Sequence, residues 1–339
     1  MTKRTRLFVL ISVGVLVVGL GTGLLASYAG FQGLTIIGSD GPDELAYVPQ
    51  DSRLVAFANV RDVMNSDFRH KLQALQPGSA ARTNDFQSKT GVNVESDVDA
   101  VVVSVGAGTE MGPPLAIARG RFDAVRIEGL MREQGGEVKE YKGKRLVTIA
   151  SGDHPFGVAF VEPGVLAFGT ADAVRRAIDT KSGVHANITT NTELMKIVRD
   201  VDDGNAWAVG RFDAFAASGR IPKEVAGQIP PITWFAASGH IDSGVEGLLR
   251  AETSNEQAAN DLREVIRGFM ALARLQTRQN PGIAAMLDSL RLGGDGKTVS
   301  LGFTLPSEIV DVLASMRGRG AGPRAPRGPR PGRPQAQVF

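Results

Sequence analysis

The chain has 339 residues, enough for about two domains at ~150 residues each, and its 42% hydrophobic and 22% charged content excludes both a wholly disordered chain and a polytopic membrane protein. With no cysteine, disulfides, thiolate metal sites, iron–sulfur clusters and a cysteine nucleophile are excluded. The formal charge of +2 hides an asymmetry: six Arg lie in residues 317–339, Lys3, Arg4 and Arg6 open the chain, neither stretch holds an acid, and the body between them stands at −7, so a nucleic-acid partner is not expected.

Residues 7–29 form a run of 23 without a charge, long enough to cross a hydrocarbon core as a helix. Three cations precede it and Asp40, Asp43 and Glu44 follow, which predicts the N-terminus in the cytoplasm and the body outside the cytoplasmic membrane. A cleaved signal peptide ending at Ser27-Tyr28-Ala29 is the competing reading. The run exceeds the usual h-region, which favours an uncleaved signal-anchor. Gly19 and Gly23 form a GxxxG within it.

After a Gly/Asp/Pro linker, residues 54–59 (LVAFAN) read as a buried strand by length and apolar content. Asp62 is placed to cap a helix over 63–75, and a polar connection follows. Strands are predicted at 100–105 and 115–119, then a helix over 124–134 closed by Gly135 and Gly136. Two hairpins come next. Lys142-Gly143 joins 138–141 to 146–150, and Glu162-Pro163-Gly164 joins 157–161 to 165–168, with Pro presetting φ and Gly accepting the positive φ of a type II turn. Thr170 is positioned to cap a helix over 171–180.

The second half repeats this order loosely: a helix at 193–199, a strand at 206–210, a short helix at 212–218, and a strand pair at 232–241 and 245–252. Helices at 255–275 and 283–290, a strand at 298–305 and a helix at 307–316 complete it. The expected fold class is α+β: two similar units with largely antiparallel sheets and packed helices, plus one transmembrane helix. The organisation is 1–38 as cytoplasmic stub, anchor and start of linker, 46–183 and 184–316 as the two units, and 317–339 as a disordered Arg/Gly/Pro tail.

The motifs that suggest chemistry fail on spacing. Gly296-Lys297-Thr298 ends like a P-loop, but Arg291 stands where its first glycine belongs and a strand follows, so it reads as a hairpin turn. Asp200, Asp202 and Asp203 suggest a calcium loop with its glycine at the wrong position and Arg211 at its twelfth, and Glu95, Asp97 and Asp99 lack a closing ligand. Both groups read as solvated acidic turns. The four His are dispersed, and there is no GxSxG, SxxK or HExxH. Trp207 and Trp234 lie inside strands and are expected in the core. Lys139, Lys142, Lys144 and Arg145 read as a solvated hairpin tip. Gly-Arg-Phe-Asp-Ala occurs twice, at 120–124 and 210–214, each time where a strand passes into a helix. Free amides at such a helix start beside Arg121 or Arg211, with Asp123 or Asp213 as cap, mark an anion contact as the one candidate ligand site. No catalytic residue, cofactor or metal ligand is assigned.

The stretch Tyr47-Val48-Pro49-Gln50-Asp51-Ser52-Arg53-Leu54-Val55-Ala56, behind a single N-terminal span, resembles a family of bacterial membrane-anchored proteins of unknown function. In these, a Val-Pro or Leu-Pro, Asp, Ala/Thr stretch opens a repeated α+β envelope domain. The resemblance implies an envelope setting and brings no catalytic residues. The function expected is a non-catalytic, membrane-anchored envelope protein whose duplicated module binds a protein partner still to be identified. Its tail is expected near anionic lipid or wall polymer. The alternatives are an anchored hydrolase whose site assembles only in three dimensions, or a lipid or small-molecule carrier with a cleft between the halves.

Overall fold

The computed structural model describes residues 41–74, 87–88, 91–106, 114–150, 155–213, 229–276 and 281–307. The apolar run at 7–29, most of the helices predicted at 212–218 and 307–316, and the tail at 317–339 lie outside the described residues.

Twelve antiparallel strands make one sheet, in the order β11-β12-β10-β9-β8-β1-β2-β3-β7-β6-β5-β4. They are β1 (Leu54–Asn59), β2 (Val98–Val105), β3 (Pro114–Gly120), β4 (Glu137–Tyr141), β5 (Lys144–Ile149) and β6 (Phe156–Glu162). The others are β7 (Val165–Thr170), β8 (Ala206–Arg211), β9 (Ile232–Ile241), β10 (Gly244–Thr253), β11 (Arg291–Gly293) and β12 (Thr298–Pro306). The fold is α+β with a large antiparallel sheet, and the two halves share that sheet through β1 and β8, paired from Leu54 opposite Gly210 to Ala58 opposite Ala206.

Side chains alternate across a sheet, so register assigns each residue to a face. The first face carries Ala58, Val101, Ala116, Val147, Val158 and Phe303. It is covered by α1 (Val60–Asn65), α2 (Asp67–Ala74), α4 (Ala124–Glu133), α7 (Glu256–Gln276) and α8 (Pro281–Ser289), through buried Met64, Ile127, Met131 and Leu287. The second face carries Val55, Phe57, Val102, Ile117, Val165 and Trp207. A 3₁₀ turn (Asp43–Tyr47), α5 (Ala171–Lys181) and α6 (Thr192–Arg199) cover it with Leu45, Val174, Ile178, Leu194 and Val198. Central strands are therefore buried on both sides and read as apolar runs: all six residues of β1 are buried. Toward β12 the pattern becomes alternation, with Val299, Leu301, Phe303 and Leu305 turned to the helices and Ser300, Gly302 and Thr304 to the other side. There Thr304, Glu246 and His240 are exposed, and among the described residues no helix packs on that third of the second face.

Local chemistry explains most boundaries. Thr170 caps α5 through Ala173 N at 3.2 Å, Asn191 caps α6 through Leu194 N at 3.1 Å, and Asp123 caps α4 through Arg126 N at 3.0 Å. Gly164, at φ 71°, occupies the positive-φ place of the β6–β7 turn. The β4–β5 turn is tighter, with Lys142 at φ 49° and Gly143 at φ 72°. Lys142 is the one non-glycine residue with positive φ among those described, and its ammonium lies 2.5 Å from Asp179, which holds the hairpin against α5. The predicted Trp207 and Trp234 are core, 2% and 5% exposed.

Several expectations are corrected. The helix foreseen over 63–75 is two helices, broken at Ser66, whose extended backbone (φ −66°, ψ 138°) ends α1 while its hydroxyl accepts from Arg69 N to start α2. Asn59, not Asp62, is the cap of α1; its side chain accepts from Asp62 N. A short helix α3 (Val94–Asp97) and the three-residue β11 were not foreseen. Asp99 is 8% exposed and paired with Arg61, and Glu95 pairs with Arg69, so this acidic stretch is not a solvated turn. The segment taken as linker holds the buried 3₁₀ turn.

Candidate functional site

The residues singled out as an anion contact occupy two separate strand ends. At the end of β3, Asp123 fills the start of α4 with its own carboxylate, and Arg121 donates to Ser96 O at 2.7 Å. At the end of β8, the Arg211 guanidinium stands 5.5 Å from the Trp234 ring and 3.5 Å from Asp213, and Asp213 also pairs with Arg53. The amides at α4 are thus answered by the cap, and both arginines are engaged within the fold. The GKT stretch is the turn between β11 and β12, with Gly294 and Gly296 at φ 94° and 54° and three of its carbonyls accepting from Arg263.

A concave surface with three carboxylates in its lining lies where the covered part of the second face meets the open part. Asn59, Asn205, His240, Glu246 and Thr304 form one cross-strand row over β1, the start of β8, β9, β10 and β12. The two asparagines do structural work there. Asn59 N donates to Asn205 O at 2.7 Å, and the Asn205 amide makes paired bonds with Ile241, donating to its carbonyl at 2.8 Å and accepting from its N at 2.9 Å. Three carboxylates stand around one end of the row, Asp62 from α1 and Asp202 and Asp203 from the turn before β8. With Phe57 and His240, they line a pocket of about 190 Å³ that has no Lys or Arg in its wall. Gly41 and Pro42 form part of its rim, so the chain leading from the N-terminal run reaches the body here.

Asp202 accepts from Trp207 Nε1 at 2.6 Å. Burial pushes its carboxyl above the ordinary value, the Trp207 bond opposes this, and the neighbouring Asp203 charge adds to it. Asp200, from the same turn, pairs with Arg250 at 2.6 Å. The acidic turn is thus divided: Asp200 and Asp202 are fastened to the sheet, and Asp203 is exposed. Sequence reasoning treated the whole turn as solvated; the signal it missed was Trp207 two residues into the following strand, an indole N–H that needs an acceptor once buried. Among the described residues no group of three His, Asp or Glu side chains is arranged to hold a metal ion.

A second charged cluster secures the 3₁₀ turn. Glu44 is fully buried, its Oε1 accepts from Arg119, and its Oε2 has no hydrogen-bond partner among the described residues. Lys181 of α5 lies 4.8 Å from the Tyr47 ring and 3.3 Å from Glu162. Burial, reinforced by the Glu162 carboxylate, holds the Tyr47 phenol well above its ordinary value. These groups clamp the segment that follows the N-terminal run between sheet and helix.

No family model matches the chain, and no curated protein matches it. Among solved structures, crystal forms I, III and IV of TP0453 resemble it at TM-scores of 0.47, 0.46 and 0.44 with 11%, 9% and 8% identity. Each covers 81% of this chain and 97–99% of its own. These values describe a distant likeness of backbone course and say nothing of chemistry.

Proposed function

We propose that the chain is a non-catalytic, membrane-anchored envelope protein whose body is a duplicated α+β interaction module. Residues 7–29 are its single span, with the N-terminus in the cytoplasm and the body outside; no helix among the described residues is long and apolar enough to cross a membrane. The observation that carries the interaction role is the open, polar third of the sheet with its shallow acidic pocket, a surface shaped for contact rather than a deep enclosed cleft. The duplication is supported by strand order. Outward from the centre, β1-β2-β3-β7 on one side has the same succession of antiparallel neighbours as β8-β9-β10-β12 on the other; α4 with β4, β5 and β6 separates β3 from β7 in the chain, and α7, α8 and β11 separate β10 from β12.

The resident partner is a protein, and the Arg-rich tail contributes contact with anionic lipid or wall polymer, each Arg near such a surface adding up to ~1 kcal/mol, screened by salt. The topology is tested by fusing alkaline phosphatase after Leu45 and after Met316 and sequencing the mature N-terminus. Both fusions are expected to be active with the N-terminus intact. Inactive fusions at both points overturn the placement, and a terminus near Gly30 overturns the anchor. The interaction role is tested by in-cell photo-crosslinking from positions 246 and 304 in the full chain and in a chain ending at Met316; absence of a crosslink to another protein from either position in both chains overturns it.

A further inference from the structure

We propose that the Arg-rich tail, residues 317–339, docks in cis on the acidic rim of the open sheet face, formed by Asp62, Asp203 and Glu246 around the Asp202 pocket. Three observations converge on this occupant. First, the rim lacks counter-charge: Asp62, Asp203 and Glu246 are exposed, among the described residues none of them is in an ion pair with a cation, and the pocket wall holds no Lys or Arg. The nearby Arg250 is already committed to Asp200 and Glu252.

Second, the described chain leaves the sheet at this rim. β12 ends at Pro306 opposite Gly244, and two residues earlier Thr304 stands opposite Glu246, which stands opposite His240 on the pocket wall. At ~4.8 Å per strand, the exit lies about 10 Å from the pocket. Nine residues lie between Ser307 and Arg317; they span about 15 Å as the helix expected over 307–316 and at most ~35 Å if extended, so the arginines that follow reach the rim in either form. Third, the charges are complementary and unequal in mobility. Six Arg and no acid follow residue 316, while the body stands at −7. Its Pro and Gly content disfavours helix and strand by composition, so guanidinium groups can meet surface carboxylates without regular structure having to form. An anionic membrane competes for the same arginines, and the tail is therefore held on the body until such a surface displaces it.

The test uses the full chain in zwitterionic micelles. Trypsin cleavage after Arg317, Arg319, Arg324 and Arg327 is followed by mass spectrometry at ~0.05 M and at ~1 M NaCl, where the screening length falls to ~3 Å. Docked arginines are expected to be cleaved about threefold or more slowly in the wild type than in D62N/D203N at low salt, the ratio collapsing to one at high salt. Asp202, which holds Trp207, is left intact so that the variant folds. E246Q, at an exposed strand position, is a second route to the same comparison. Equal cleavage rates in wild type, D62N/D203N and E246Q at low salt overturn the proposal. Protection that disappears on hundredfold dilution shows a contact between copies and overturns the cis assignment; protection unchanged by dilution supports it.

Discussion

Replacing Arg119 by Ala tests the clamp on the 3₁₀ turn, because the two ends of this ion pair are placed unequally. Glu44 is 0% exposed, whereas the Arg119 side chain is 33% exposed and also lies 3.9 Å from Asp43. Removing the cation leaves a buried carboxylate whose second oxygen is already without a partner, and orphaning one end of a buried pair costs ~3–5 kcal/mol. Removing the anion by Glu44→Gln leaves a guanidinium that can hydrate and lean on Asp43, and forfeits roughly 1.5–3 kcal/mol of charge-assisted hydrogen bonding, partly regained because no charge is then buried. R119A is therefore expected to destabilise more than E44Q. The double variant is expected to fall short of the sum by ~1.5 kcal/mol or more, since a neutral amide in place of the carboxylate leaves no charge to strand. Urea denaturation of the full chain in micelles, followed by the fluorescence of Trp207 and Trp234, gives the four midpoints of the cycle. Equal and additive losses would refute the account, and would mean that Arg119 acts through the packing of its aliphatic stem alone.

Three further outcomes follow from features described above. At Gly247 an added methyl would fall 2.2 Å from the Phe303 ring, so G247A is expected to cost about 1–3 kcal/mol as the ring is displaced, read as a lower denaturation midpoint. Lys142 holds the Asp179 carboxyl below its ordinary value, so this pair supports folding above the normal carboxylate range and loses that support as pH falls; K142Q is expected to flatten the acid limb of the stability profile, and an unchanged limb would discount the pair. Burial raises the Asp202 carboxyl, so the sign reverses: its contribution is present at low pH and lost as pH rises through the folded value. D202N keeps an oxygen for Trp207 Nε1 and is expected to stabilise the protein at pH 7 but not near pH 3.

Elements with their own chemistry were legible in the sequence. Pro163-Gly164 fixed a turn, Thr170 announced α5, and the helix expected over 255–275 is α7. What escaped was structure imposed from a distance. Asp43–Tyr47 is five residues with no period, set among Gly, Asp and Pro, and only the seat between sheet, α5 and Arg119 makes it core. β11 has three residues and exists because β12 lies beside it. Ser66 breaks a run that periodicity treats as continuous, since the bond it accepts from Arg69 is invisible to an apolar pattern. The same limit applied to the candidate site. Asp62, Asp203, His240 and Glu246 are scattered along the chain, and only register brings them to one rim, whereas Arg121, Asp123, Arg211 and Asp213, selected by a repeated pentapeptide, stand at two separate strand ends where caps and ion pairs use them.

The position of β1 has a consequence for how the chain is made. Its neighbours are β2 on one edge and β8 on the other, and β8 is not synthesised until Arg211. Until then the segment Leu54–Asn59, apolar in five of six positions, presents an unpaired edge with neither charge nor proline to guard it. Local hairpins β4–β5 and β6–β7 bring near neighbours together, while closure of the sheet waits for the pairing of Leu54 with Gly210, a long-range contact and so a slow and exposed step. A nascent chain stalled near residue 190 is the species most prone to pair edge to edge with its neighbours, and an attendant that shields β1 during synthesis would be needed most at that stage.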